Sequence, residues 1–91
     1  MQFVWDEAKR KSNLNKHGMD FADAKIVFAG AIYTFEDDRF DYDEQRFITL
    51  GLLNGEVIVL AHTEQENVVR VISMRKATNY EQRLYFRSFT D

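Results

Sequence analysis

The second half of the chain consists of apolar runs separated by polar turns, a pattern that predicts consecutive β-strands. Asn54-Gly55 is the strongest turn signal, because a two-residue hairpin loop requires positive φ at both positions. A second turn is predicted over residues 64–67. The predicted strands cover residues 31–35, 46–53, 56–63 and 68–75, and Phe3-Val4-Trp5 adds a short strand at the N-terminus.

Capping residues mark three helices around these strands. The first helix is predicted to run to His17 and to end at Gly18, which suits a left-handed stop. The second carries apolar residues at helical spacing from Phe21 to Phe28. The N-cap candidates are Asp6, Asp20 and Thr78, the last with Glu81 as its capping-box partner.

The element order is therefore β-α-α-β-β-β-β-α, and it predicts a single domain over residues 1–91. Strands joined by short turns predict an antiparallel meander of about four strands, with the short N-terminal strand in addition. Two N-terminal helices and one C-terminal helix are expected to pack on this sheet, which makes an α+β fold. The acidic segment 36–44 is expected to be a loop or a wide hairpin.

The hairpin register predicts which side chains share one face of the sheet. A two-residue turn at Asn54-Gly55 places Arg46 opposite Thr63, and a four-residue second turn places Ala61 opposite Arg70. One face would then end in Arg46 and Arg70 at a common rim, where an anion could bind. The apolar residues expected on that face are Ile48, Leu50, Leu52, Val57, Val59, Ile72 and Met74.

Composition narrows the possible chemistry. The chain has 91 residues, a net charge of −3 and no cysteine, which excludes disulfides, thiolate catalysis and zinc–sulfur sites. Two histidines without ligand spacing predict no metal site. The N-terminus lacks the pattern of a signal peptide and no apolar run could span a membrane, so we expect a cytoplasmic protein. Basic ends flank an acidic centre, which allows nucleic acid to bind at one site only.

Two arginines dominate the candidate chemistry. Arg70 and Arg75 lie at the end of the last predicted strand, and a guanidinium donates two hydrogen bonds to a phosphate at once. They are therefore candidates for binding an anionic ligand. The alternative is that each forms an ordinary surface ion pair with a nearby carboxylate.

Glu44 and Arg46 form a second candidate pair. Residues two apart point to the same face of a strand, so a carboxylate and a guanidinium would lie side by side. Cleavage of RNA without a metal needs a base for the 2′-hydroxyl proton and a cation for the charge that develops on the phosphate. An ordinary cross-strand salt bridge is the alternative, and the residue types alone favour it.

The first helix carries a polar stripe formed by Lys9, Asn13 and either Lys16 or His17. His17 is a proton-transfer candidate near neutral pH. The stripe equally fits a solvated helix face, with a cation placed favourably at the C-terminal end of the helix dipole. His62 is interpreted as a packed or hydrogen-bonded strand residue, and the acidic segment as solvated surface or a docking patch. The aromatic residues interpreted as core are Phe21, Phe28, Phe47, Tyr80 and Tyr85.

The spacing of these residues, taken together, resembles the BrnT family of bacterial toxins. The resemblance starts at Phe3-x-Trp5-Asp6-x-x-Lys9 and continues through Asn13, Lys16-His17-Gly18, Phe21, Ala24 and Val27-Phe28. It resumes at Glu44-x-Arg46, Gly51, His62-Thr63 and Arg70-x-Ile72-Ser73-x-Arg75-x-Ala77, and it ends at Glu81 and Tyr85.

This resemblance implies a RelE-like fold and a metal-independent endoribonuclease that inhibits translation. It implies a cognate BrnA-like antitoxin of the ribbon-helix-helix type as partner, RNA as substrate, and contact with DNA only through the antitoxin. The positions that match the family pattern are Lys9, His17, Glu44, Arg46, Arg70, Arg75 and Tyr85. In this interpretation the three arginines bind phosphate, Glu44 or His17 is the base, and Tyr85 stacks, donates a hydrogen bond or belongs to the core.

The acidic balance of the chain leaves a second hypothesis open. The protein would then be a non-catalytic binding module or co-repressor, which docks a partner through its acidic loop and its sheet. Binding of a small anionic ligand is a third, weaker possibility.

Overall fold

The computed structural model describes residues 1–90, and the predicted strands and helices are all present in it. The strands are β1 (Gln2–Trp5), β2 (Tyr33–Glu36), β3 (Phe47–Leu53), β4 (Glu56–Gln65) and β5 (Val68–Lys76). The helices are α1 (Glu7–His17), α2 (Ala24–Ala29) and α3 (Asn79–Arg87), with a 3₁₀ turn at Phe21–Asp23 before α2. Among residues 1–90, no helix has the length and hydropathy needed to cross a membrane.

The caps form as the sequence predicts. The carboxylate of Asp6 accepts a hydrogen bond of 3.0 Å from the backbone N–H of Lys9, and Gly18 ends α1 with a φ of 70°. Thr78 and Glu81 form both hydrogen bonds of the capping box. Asp20 also caps as expected, but it caps the 3₁₀ turn, so the second predicted helix is divided into that turn and the short α2.

The sheet is mixed rather than a purely antiparallel meander. Its strand order is β1-β5-β4-β3-β2, and β2 to β5 pair antiparallel with their neighbours in sequence. β1 pairs parallel with β5, so the N-terminal strand adds to the far edge of the sheet. The fold is therefore α+β, as predicted. The RelE-like architecture implied by the family resemblance stays a prediction.

The register confirms the first hairpin and corrects the second. Leu53 pairs with Glu56 across Asn54-Gly55, as expected from the two-residue turn. The second turn is also a two-residue turn, because Glu66 and Asn67 both have positive φ, and Thr63 rather than Ala61 pairs with Arg70. The predicted register was wrong by two residues. Side chains alternate with a period of two, so Arg70 still lies on the predicted face.

A β-bulge in β5 changes the face of the residues that follow it. His62 pairs with Val71 and Ala61 pairs with Ser73, which leaves Ile72 as an extra residue. Without the bulge, Arg70 and Arg75 would point to opposite faces. With it, they pair with Thr63 and Val59 of β4, which are four residues apart and share one face.

Apolar residues cover both faces of the sheet. We call the two sides the α2 face and the α3 face, after the helices that pack on them. The α2 face carries the buried cluster of Met19, Phe21, Ala24, Val27, Ile58, Leu60, Val69, Val71 and Met74. The α3 face carries Ile48, Leu50, Val57, Val59 and Tyr85. The prediction that Met74 shares a face with Leu50 was wrong, because the bulge turns it to the opposite side.

Gly51 of β3 is required by the close approach of α2. A Cβ atom at this position would lie 2.5 Å from Val27 Cγ1 and 3.2 Å from Ile32 Cγ2. We expect Gly51→Ala to lower the free energy of unfolding by about 1–3 kcal/mol, as overpacking does in other cores. Urea denaturation of the purified protein measures this change. Gly30→Ala is the matched control, because its Cβ would meet nothing nearer than 3.8 Å; an equal effect of both substitutions would contradict the packing argument.

Candidate functional site

Arg46 and Arg70 lie on either side of Thr63 in one row across the α3 face. We call these three residues the arginine row. Thr63 pairs directly with Arg70. The last pair between β3 and β4 joins Phe47 to His62, so Arg46 comes next and continues opposite Thr63. A hydrogen bond of 2.8 Å from the backbone N–H of Asp37 to the carbonyl of Arg46 extends the β2–β3 pairing to this row. The rim predicted for Arg46 and Arg70 is therefore present.

Glu44 connects the two guanidinium groups of the arginine row. Arg70 Nη2 donates a hydrogen bond to Glu44 Oε1, and Arg46 Nε lies 3.9 Å from the same oxygen. The distance to Arg46 is too long for a hydrogen bond, so the buried Nε of Arg46 has no partner among residues 1–90. A buried N–H without a partner is costly. One negatively charged oxygen already lies near both cations, and an unused donor lies 3.9 Å from it.

The segment between β2 and β3 holds Arg46 of the arginine row in place. The guanidinium of Arg46 lies 4.1 Å from the centroid of the Tyr42 ring, which holds it by a cation–π contact. The Tyr42 hydroxyl donates a 3.1 Å hydrogen bond to Asp37, which is 6% exposed. Arg39 donates two hydrogen bonds to Asp37, of 2.7 and 3.0 Å, and they lower the pKa of this carboxyl to about 2. The prediction that the acidic segment is solvated surface was therefore wrong for Asp37.

Arg75 lies on the same face as Arg70 but is separated from it. Their partners on β4 are four residues apart, which corresponds to about 13 Å along the strand. Arg75 donates two hydrogen bonds of 2.8 Å to the carboxylate of Glu81 at the start of α3. These bonds lower the pKa of Glu81 to about 2 and raise that of Arg75, against the opposing charge of Arg39. Arg75 therefore belongs to an ion pair that fastens α3 to the sheet.

A cavity of about 320 Å³ opens beside Arg75 on the α3 face, and we call it the α3 cavity. Its apolar wall is formed by Phe35, Ile48, Val59 and Leu84. Its polar wall carries the two ion pairs, Arg39 with Asp37 and Arg75 with Glu81, together with Glu36, Asp38, Thr78 and Tyr80. The cavity thus combines an apolar floor with fixed hydrogen-bonding groups.

Lys9 and His17 are not brought to the arginine row. Both belong to α1, and no hydrogen bond or ion pair within residues 1–90 links either side chain to the arginines. Asn13, the third member of their polar stripe, has a structural role. Its side-chain amide accepts from the N–H of Met74 and donates to the carbonyl of Met74, which satisfies the backbone of β5 beyond the end of β1.

Tyr85 belongs to the core of the α3 face. It is 2% exposed, packs against the rings of Phe86 and Phe89, and donates a 2.8 Å hydrogen bond to the carbonyl of Ala31. Of the roles that the resemblance left open for Tyr85, its position matches core packing combined with a hydrogen bond to the backbone.

His62 is fully buried on the α2 face, where it forms part of a polar chain. Its Nε2 lies 2.7 Å from Thr49 Oγ1, which in turn lies 2.7 Å from Thr34 Oγ1. Loss of hydration lowers the pKa of His62 to about 4, although Glu64 lies 3.6 Å from Nδ1. The imidazole is therefore neutral near pH 7. This confirms the interpretation of His62 as a packed, hydrogen-bonded strand residue.

Two residues of the site were not singled out from the sequence, Arg39 and Tyr42, and a third, Tyr80, was assigned to the core. Arg39 and Tyr42 lie within the acidic segment, which was interpreted as a whole from its many carboxylates. The spacing Asp37-x-Arg39 was the available signal, because it allows a local ion pair inside a loop. Tyr80 was interpreted as a core residue together with the other aromatic residues, and this interpretation was wrong, because Tyr80 is 66% exposed at the start of α3. Within residues 1–90, no group of three or more His, Asp or Glu side chains is placed to hold a metal ion.

The fold and site together define a small α+β protein with paired arginines at one rim of its sheet. A comparison with protein-family models matches residues 5–81 to the ribonuclease toxin BrnT of type II toxin–antitoxin systems. The chain belongs to this family, which indicates a ribonuclease toxin with a cognate antitoxin. A search among curated proteins gave no significant match. The matched range contains Lys9, His17, Glu44, Arg46, Arg70 and Arg75, whereas Tyr85 lies beyond it.

The buried His62 predicts a loss of stability in mild acid. The unfolded chain binds a proton at His62 below pH 6.5, whereas the folded protein does so only near pH 4. The free energy of unfolding should therefore fall by about 2 kcal/mol between pH 7 and pH 5. Asp37 and Glu81 add little above pH 5, because their stabilisation is lost only as the pH falls from their ordinary pKa values of 3.8 and 4.5 towards the folded values near 2. Urea denaturation at several pH values measures this slope.

The matched pair of variants for this measurement is His62→Gln and His17→Gln. The first should remove most of the decrease between pH 7 and pH 5, and the second should retain it because His62 is still present. A decrease of unchanged size in the His62→Gln protein would show that the slope has another origin.

Proposed function

We propose that this protein is a metal-independent endoribonuclease whose catalytic centre is the arginine row with Glu44. The observation that carries this proposal is the convergence of Arg46 and Arg70 on one carboxylate oxygen, beside the unpartnered Nε of Arg46. A phosphate oxygen of RNA carries the same charge as that carboxylate oxygen and accepts the same hydrogen bonds. The scissile phosphate therefore binds where Arg46 and Arg70 both reach it.

The chemistry follows from these three side chains. Glu44 takes the proton of the 2′-hydroxyl, the 2′-oxygen attacks phosphorus, and the bond from phosphorus to the 5′-oxygen breaks. Arg46 and Arg70 stabilise the additional negative charge on the phosphoryl oxygens as it develops. The leaving 5′-oxygen takes a proton from water. Glu44 is chosen as the base over His17 because it contacts the arginines and is 44% exposed, within reach of a substrate.

The proposal extends to the biological partners implied by the family. Cleavage of RNA inhibits translation, and a BrnA-like antitoxin of the ribbon-helix-helix type neutralises the toxin by binding it. Contact with DNA then occurs only through the antitoxin. Co-expression of the neighbouring reading frame tests this part, since it should relieve the growth arrest that the toxin causes alone. The roles expected for Lys9, His17, Tyr85 and Arg75 stay predictions, which cleavage assays on the single variants would examine.

One observation favours a second candidate function, a non-catalytic binding module. Phe40 is 66% exposed in the acidic segment, with Asp38 and Asp41 nearby in sequence and the Arg39 guanidinium 5.9 Å from its ring centroid, so the segment presents an apolar side chain on a mainly acidic surface. Such a surface fits a basic partner with an apolar pocket. In this case expression without a partner would be harmless to the cell, and growth arrest relieved by Arg70→Ala would exclude it as the main function.

Replacing either arginine of the row should abolish most of the RNA cleavage. We expect Arg70→Ala and Arg46→Ala each to lower the cleavage rate by about 100- to 1000-fold, because each removes one stabilising donor from the transition state. The measurement is cleavage of a single-stranded RNA by the purified protein in the presence of EDTA, with rates taken at saturating RNA.

Lys76→Ala is the matched control for these variants. Lys76 is also an exposed cation of β5, paired with Glu56 at 3.3 Å, but it lies at the other end of the strand. Its removal should change the rate less than threefold. Absence of cleavage by the unmodified protein in EDTA, or equal losses in all three variants, would refute the proposed mechanism.

A further inference from the structure

The α3 cavity contains groups that the proposed catalytic centre does not use. Tyr80 stands at its edge and is 66% exposed, and no aromatic ring within residues 1–90 packs against it. The other exposed aromatic residues in and just after α3 differ in this respect, since Phe86 and Phe89 both pack edge-on against Tyr85 at about 5 Å. The fold therefore explains the positions of Phe86 and Phe89 but not the position of Tyr80.

The two arginines of the cavity are fixed hydrogen-bond donors whose charge is already balanced. Arg39 uses Nε and Nη2 for Asp37, and Arg75 uses Nη1 and Nη2 for Glu81. Among residues 1–90, the Nη1 of Arg39 and the Nε of Arg75 have no acceptor. A guanidinium held in this way has its direction set and still offers N–H groups to a further ligand.

The charge of the cavity argues against an anionic ligand there. Each arginine is matched by one carboxylate, and Glu36 and Asp38 add two more negative charges to the lining. A phosphate entering this space would meet net negative charge. A flat, uncharged group with acceptors and donors on its edge is better suited, because it can pair with both the guanidinium N–H groups and the carboxylates.

The cavity also lies within reach of the arginine row. Arg75 is on the same sheet face as Arg70, about 13 Å from it along the strand. Arg39 belongs to the same loop as Tyr42, Glu44 and Arg46, which connects the cavity wall to the row. A ligand chain held by its backbone at the row can therefore place a neighbouring side group in the cavity.

We infer that the α3 cavity binds an unpaired nucleobase of single-stranded RNA. The base stacks on Tyr80 above the apolar floor, and its edge pairs with the fixed groups of Arg39 and Arg75. This inference rests on the proposed function for the RNA itself, and it adds a subsite for a base close to the scissile phosphate.

The first test is the affinity for a short single-stranded RNA that carries a 2′-O-methyl group on every ribose and so cannot be cleaved. Tyr80→Ala should weaken binding about tenfold, the effect expected from loss of one stacked base. Tyr80→Phe should bind within twofold of the unmodified protein. Phe86→Ala, which truncates another exposed aromatic residue of the same helix, is the matched control and should also stay within twofold.

The second test separates the base from the phosphate as the recognised group. Adenosine and guanosine, which lack phosphate, should shift the amide NMR resonances of residues lining the cavity, such as Val59 and Thr78. Ribose 5-phosphate should leave them unchanged. Shifts with ribose 5-phosphate and none with either nucleoside would overturn the inference, as would equal effects of Tyr80→Ala and Phe86→Ala on RNA affinity.

The outcomes for this subsite and for catalysis are distinguishable. If the unmodified protein does not cleave RNA but Tyr80→Ala weakens binding of the methylated RNA, the nuclease proposal fails and the base subsite stands. If cleavage depends on Arg70 but Tyr80→Ala binds normally, catalysis stands and the subsite fails. Circular dichroism of Tyr80→Ala guards against misfolding, which an exposed side chain should not cause.

Discussion

One extra residue in β5 determines how this protein distributes its chemistry between the two faces of the sheet. Ile72 has no partner on β4, so the strand after it is shifted by one position. As a result Arg75 joins Arg70 on the α3 face, and Met74 turns into the core of the α2 face. The bulge lies just beyond the point where β1 stops pairing with β5. There the side chain of Asn13 makes the hydrogen bonds to the edge of β5 that a strand would otherwise make.

Pairing between guanidinium and carboxylate groups explains how an acidic protein keeps several arginines ordered on one face of its sheet. Each of Arg39, Arg70 and Arg75 donates to its own carboxylate, from Asp37, Glu44 and Glu81 respectively. The pairs are not equivalent. Asp37 and Glu81 are buried or half-buried and hold their arginines bidentately, whereas Glu44 and Arg70 are about as exposed as each other, at 44% and 40%. A phosphate would therefore displace a carboxylate most easily at the arginine row, because the pair of Glu44 and Arg70 is exposed to solvent and breaking it costs little free energy.

Most of the architecture could be predicted from local patterns. Turn dipeptides, caps and apolar runs gave the order and bounds of the elements, because each of these signals acts over a few residues. The turn at Glu66-Asn67 was harder, since its flanking polar residues extend β4 instead of ending it. The convergence of Arg46 and Arg70 could be predicted because a register error of two residues leaves the face unchanged.

The sequence by itself determined the family, the α+β class and the candidate residues for phosphate binding, because these depend on residue types and on spacing along the chain. Only the tertiary structure decided which of them meet. It placed Lys9 and His17 on α1 away from the arginines, buried Tyr85 in the core, and brought Arg39, Arg75 and Tyr80 around one cavity. The physical reason is that a bulge and the packing of a helix on a sheet arise from contacts between distant residues, which no local pattern encodes.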